Sequence, residues 1–136
     1  MEIDFPIEFV VRGTPVSLQT KRRATMDDWR SRIRQASYEV LPEGHFASDG
    51  RIAVTIYYFP ATQMQGDIDN IVKPVLDALC RHVYLDDRQV ERVVVQKFEP
   101  NRFATFASSS NILRAAVEDV KPIVYISISD DPREFV

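Results

Sequence analysis

Aspartates in two short runs are the residues of this sequence whose types and spacing could do chemistry. Asp67 and Asp69 flank Ile68 in the stretch Gly-Asp-Ile-Asp-Asn-Ile-Val-Lys that begins at Gly66, and Asp86 and Asp87 close the stretch Val-Tyr-Leu-Asp-Asp that begins at Val83. In an extended segment ahead of a helix, residues two apart point the same way, so Asp67 and Asp69 are expected to offer both carboxylates to one ion. Magnesium accepts such a pair: it takes oxygen ligands, keeps several waters, and usually binds through one or two carboxylates plus a substrate phosphate. Carboxylates ~4 Å apart near a surface repel by about 4 kcal/mol at an effective dielectric of 20. A divalent cation reverses the sign of that interaction and supplies the charge that a phosphate needs. Asp87, with or without Asp86, is expected to complete the set.

Each acid also has a plainer reading. Asp69 or Asn70 could cap the helix that follows, and Asp86-Asp87-Arg88 alone would be a solvated turn. Lys73 stands four residues after Asp69, on the same helix face and close to a helix start, where the dipole disfavours a cation. A residue set against its local preference points to a role, here contact with a phosphate whose charge builds as it reacts. Asp77, four residues further on, reads as a salt-bridge partner of Lys73, not as a metal ligand. No role is assigned to His45 or His82. Cys80, Trp29 and the tyrosines 57, 58 and 84 read as packing residues.

The elements that must position these groups are legible from periodicity. Ile7, Phe9 and Val11 alternate with Glu8, Val10 and Arg12, a strand ended by the Gly13–Pro15 turn. Thr25 followed by Asp28 has capping-box spacing, and Trp29, Ile33, Ala36 and Val40 then form the apolar stripe of a helix that leaves Arg30 and Arg34 on another face. Ile52 to Tyr58 alternates as a second strand stopped by Pro60. The spacing predicts a helix from Asn70 to about Arg81, with Pro74 near its first turn, where proline is tolerated. Val90–Phe98 and Ile123–Ser129 read as strands three and four, separated by a loop-like stretch and a short helix around Ile112 to Val117. The fold class expected is therefore α+β: a mixed sheet of about four strands with two or three helices, in one domain over 1–136, with 130–136 as a loosely ordered acidic tail.

The chain has 136 residues and a formal net charge of -3, a sum that argues mildly against a nucleic-acid partner. Distribution matters more than the sum. Between Lys21 and Arg34, six basic residues face two acidic ones. Lys21, Arg22, Arg23, Arg30 and Arg34 are accordingly the candidates for phosphate contacts. A lone cysteine, and an N-terminus without the pattern of a secretory signal, lead to the expectation of a cytoplasmic protein. No apolar run approaches the roughly 20 residues that a membrane helix needs.

Asp-Ile-Asp-Asn-Ile-Val-Lys, then Asp-Ala-Leu, then Tyr-Leu-Asp-Asp-Arg-Gln-Val resembles the core of the RusA family of Holliday junction resolvases. The likeness is close over 66–98 and looser over the first strand, the Gly-Thr-Pro turn with the basic residues after it, and the last strand. It implies a homodimer that binds branched DNA, the four-way junction, and makes paired symmetric nicks with Mg²⁺, for which Mn²⁺ substitutes. Asp67, Asp69 and Asp87 fall on the family's catalytic acids, Lys73 on its functional lysine, and Asp86 on a neighbouring acid. Residues 100–120 look like an insertion before the last strand. Two other readings stand beside this one: a nuclease for other branched DNA or RNA, and a catalytically idle DNA-binding protein of the same fold.

Overall fold

A computed structural model describes residues 1–17, 22–101, 105, 106 and 108–133. Strands β1 (Ile7–Arg12), β2 (Ile52–Phe59), β3 (Val90–Lys97) and β4 (Ile123–Ser129) form one sheet in the order β1-β4-β2-β3. β4 lies antiparallel to both β1 and β2, whereas β3 runs parallel to β2. A parallel pair cannot be joined by a tight turn. Helix α2 (Asp69–Leu79) supplies the crossover, and the chemistry-bearing residues lie on that connection. With α1 (Arg23–Ser37) and α3 (Asn111–Glu118), the architecture is the α+β fold with a mixed four-stranded sheet that the periodicity predicts.

Alternation along the strands divides the buried residues between two faces. Ile7, Phe9 and Val11 of β1, Val54 and Ile56 of β2, and Val124, Ile126 and Ile128 of β4 pack with Trp29 and Ile33 of α1 and with Ile71, Val75 and Leu79 of α2. The opposite face carries a smaller cluster in which Leu113 and Ala116 of α3 meet Phe59, Ile123 and Tyr125. Trp29 is fully inside the main core, as expected of a packing residue. α3 is pinned at its start by Ser110, whose hydroxyl caps the Leu113 N–H and donates to Glu8, a residue that also accepts from the Tyr125 hydroxyl.

Several local expectations are corrected. α1 begins at Arg23, with Arg22 at the cap and no side-chain cap bond, so Thr25 lies within the first turn and does not start the helix. Its buried stripe is Met26, Trp29, Ile33 and Ser37, and Val40 falls in the turn beyond. α2 begins one residue earlier than predicted and ends at Leu79. Pro74 is consequently its sixth residue, past the first turn, and cannot donate to the Asn70 carbonyl. The Pro132 carbonyl accepts from Arg92 of β3 at 2.6 Å. Residues 134–136, and 102–104 and 107 of the expected insertion, lie outside the described residues. No helix among the described residues is long and apolar enough to cross a membrane.

Candidate active site

Asp69 is the first residue of α2, and Asp69, Lys73 and Asp77 follow one another at intervals of four, one above the next on a single helix face. Lys73 Nζ lies 2.7 Å from Asp77 Oδ1, the ion pair that the spacing predicts. It also lies 3.3 Å from Asp87 Oδ2. The bond to Asp77 is the main cause that holds the Lys73 ammonium above the usual lysine range, with Asp87 adding to it.

An 11-residue helix is about 16 Å long, so Asp87 meets Lys73 only if the chain reverses after α2. It does so tightly. Cys80 leaves the helix in an extended conformation, Arg81 takes a positive φ of 62°, and its N–H bonds the Tyr84 carbonyl at 2.6 Å. Val83 and Tyr84 then sink fully into the core and anchor the return. The Leu85 N–H donates to Ser48 O, and Asp86 starts a 3₁₀ turn over Asp87–Gln89 that runs into β3.

Gln89 fixes this turn with all the capacity of its amide. Its Oε1 accepts from the N–H groups of Leu85 and Asp86, both at 2.8 Å, and its Nε2 donates to the carbonyls of Ser48 at 2.8 Å and Gly50 at 2.7 Å. Asp86 and Gln89 make a reciprocal cap. One Asp86 oxygen accepts from the Arg88 N–H at 2.9 Å, the principal cause holding its carboxyl below the usual range. Asp87 remains turned toward α2. Its Oδ1 accepts from the Tyr84 hydroxyl at 2.9 Å and its Oδ2 faces Lys73. Burial, reinforced by Asp87, pushes the Tyr84 phenol far up, so it stays a proton donor.

The sequence places Asp67 and Asp69 on an extended segment, and here the structure differs. Ile68 between them is helical (φ -66°, ψ -26°) and makes no side-chain cap bond to α2, and the Asn70 N–H bonds Asp67 O. Residues two apart in helical geometry do not face each other, so period-two alternation does not align these carboxylates. Both side chains lie at the exposed start of α2. Among the described residues no group of three His, Cys, Asp or Glu stands ready to hold a metal ion. The donor chemistry still fits magnesium, since aspartate oxygens are the hard ligands it prefers and a substrate phosphate commonly supplies part of its shell.

The basic residues divide into two groups. Arg22 and Arg23 are exposed at the start of α1, while Lys21 lies outside the described residues. Arg30 and Arg34 turn toward α2: Arg30 pairs with Asp77 at 3.3 Å and with Asp27 at 3.4 Å, and Arg34 donates to Ala78 O at 3.0 Å and Asp77 O at 3.4 Å. These two guanidinium groups therefore clamp α1 onto the end of the helix that carries Lys73. The ring of His82 bonds Ser37 at the end of α1 and packs edge-on to Tyr38 and His45. Cys80 is half-buried and not fully in the core, and its sulfur reaches Leu85 O at 3.7 Å.

Sequence reasoning missed Tyr84 and Gln89, the two side chains that hold Asp87 in place. Tyr84 reads as packing because its ring is indeed buried. Gln89 had a signal, because Asp86 and Gln89 stand at capping-box spacing.

The family model described as Endodeoxyribonuclease RusA matches residues 8–105, more than half of the chain. The chain belongs to the RusA endodeoxyribonuclease family. RusA membership carries Holliday junction-resolving endonuclease activity, with branched DNA as the partner. The RusA match spans β1, α1, β2, α2 and β3 and stops before α3 and β4. No curated protein matches the chain.

Proposed function

We propose that this chain is a magnesium-dependent endonuclease that resolves four-way DNA junctions by paired symmetric nicks, as a homodimer, in recombination and repair. The observation that carries this reading is the return of Asp87 across the crossover to Lys73, on the helix face that Asp69 begins. Aspartates from two separated stretches then flank one lysine at an accessible surface, where side chains on both sides of a phosphate would be needed.

Asp67, Asp69 and Asp87 would hold the ion, with Mn²⁺ as a substitute. Asp86 contributes less directly, because one of its oxygens is committed to the Arg88 N–H. When bound, magnesium adds positive charge at the phosphate and makes a water more acidic. Lys73 neutralises Asp87 in the free protein and turns to a phosphate oxygen when DNA is in place, stabilising charge that grows in the transition state. Asp77 keeps that ammonium oriented along the helix. Arg22 and Arg23, with Lys21, contact phosphates away from the cut, and Arg30 and Arg34 back the same surface through their bonds to α2.

Labelled four-way junction, fork, duplex and RNA, each incubated with Mg²⁺ or with chelator, test the proposal. Paired nicks in the junction alone, abolished by chelator, are expected. Preferential cutting of forks or RNA would replace the substrate, and binding of junctions without any cutting would make the protein an idle DNA-binding member of the family.

A further inference from the structure

The fold gives Asp87 a partner that packing does not require. Tyr84 is fully buried, yet its hydroxyl lies 2.9 Å from Asp87 Oδ1 and 3.0 Å from Leu76 O. A phenol has one proton, so it can satisfy only one acceptor fully at a time. Leu76 O already accepts the helical N–H of Cys80 at 2.9 Å and does not depend on the phenol. The phenol is the side-chain donor to Asp87 Oδ1, while the other carboxylate oxygen faces Lys73. The ring is rigid and seated among Val83, Leu79 and the rest of the main core. Its hydroxyl is therefore a fixed point against which a half-buried carboxylate is aimed.

We infer that Tyr84 is a positioning residue for the reaction: its hydroxyl holds the Asp87 carboxylate with Oδ2 toward the Lys73 side of α2, in the orientation that receives the divalent cation. Gln89 serves the same end through the backbone, fixing the turn that carries Asp87 to the Ser48–Gly50 segment. The inference rests on the metal role proposed above for Asp87.

Tyr84→Phe removes the hydroxyl and keeps the ring. Mn²⁺ titration by calorimetry on the intact protein supplies a readout independent of cutting, with four-way junction affinity and single-turnover cutting measured alongside. Loss of a hydrogen bond that orients a metal ligand typically weakens metal affinity or activity about 10-fold to 100-fold. Tyr84→Phe should therefore bind Mn²⁺ at least about tenfold more weakly and cut more slowly at fixed Mg²⁺, with junction affinity unchanged and an unaltered far-UV circular dichroism spectrum. A double-mutant cycle separates positioning from packing. In an Asp87→Asn background, Tyr84→Phe should change Mn²⁺ affinity no further, whereas a packing defect would add its full effect in both backgrounds. Equal Mn²⁺ affinity in Tyr84→Phe and wild type, or additivity in the cycle, overturns the inference alone. A wild-type protein that binds no Mn²⁺ overturns the metal role of Asp87 and the inference with it.

Discussion

Replacing Gln89 with alanine removes four hydrogen bonds in one substitution and leaves the hydrophobic clusters untouched. The Asp86 N–H loses this acceptor and the Gly50 carbonyl this donor, while the Leu85 N–H and the Ser48 carbonyl keep only their longer bond to each other, at 3.3 Å. Three of these bonds lie at the surface, where water can replace them, and only the one to Ser48 O is part-buried. Each is therefore credited with roughly 0.5 kcal/mol, the low end of the net range for a hydrogen bond, which gives about 2 kcal/mol in all. Urea unfolding of Gln89→Ala should show a loss of that size with an unchanged m-value, because the same surface is exposed on unfolding. Amide exchange should locate the damage, accelerating at Leu85 and Asp86 while the β4 amides keep their relative protection. A loss below about 0.5 kcal/mol, or protection that falls evenly across the sheet, would refute the assignment of Gln89 as the clamp of this turn.

Further outcomes follow from the same structure. Burial, and then His45 and Arg34, hold the His82 ring below the ordinary histidine pKa of 6.5. Below that pH the unfolded chain binds a proton that the native chain resists, so stability present above pH 6.5 should fall as pH drops beneath it. Urea midpoints at pH 7.5 and 5.5 check the sign, and His82→Gln should flatten the difference; a midpoint that rises on acidification would contradict it. Neutralising Arg22 and Arg23 together should lower the slope of log K against log salt for junction binding by about 1–2, since each phosphate contact contributes about 0.9. An unaltered slope would remove the start of α1 from the DNA interface.

Much of the framework is readable from one sequence because one-sided burial imposes a period. β4 alternates throughout between the two faces, and its predicted bounds coincide with those observed. β1 reads equally well, its odd residues facing the main core and Glu8 and Val10 the side covered by α3. Helix starts are less legible. The Thr25–Asp28 spacing imitates a capping box, but both residues lie inside α1, which starts at Arg23 with no side-chain cap bond to mark it. At α2 the local geometry around Ile68 is helical, which period-two reasoning about Asp67 and Asp69 could not anticipate. Reversal of the chain so that Asp87 reaches Lys73 depends on a positive φ at Arg81 and on burial of Val83 and Tyr84. Neither feature has a periodic signature. The hydroxyl of Tyr84 is hidden for the same reason: apolar periodicity reports that a ring is inside and says nothing of where its one polar atom points.

Whether the aspartate and lysine group does the cutting is tested most directly by a single substitution, Asp69→Asn, assayed on a labelled four-way junction with Mg²⁺ beside a gel-shift of the same junction. Loss of the nicks with binding retained or strengthened is the expected result, because the amide gives up a metal ligand and a repulsion with phosphate together. Nicks at the wild-type rate in Asp69→Asn would contradict the account at its centre.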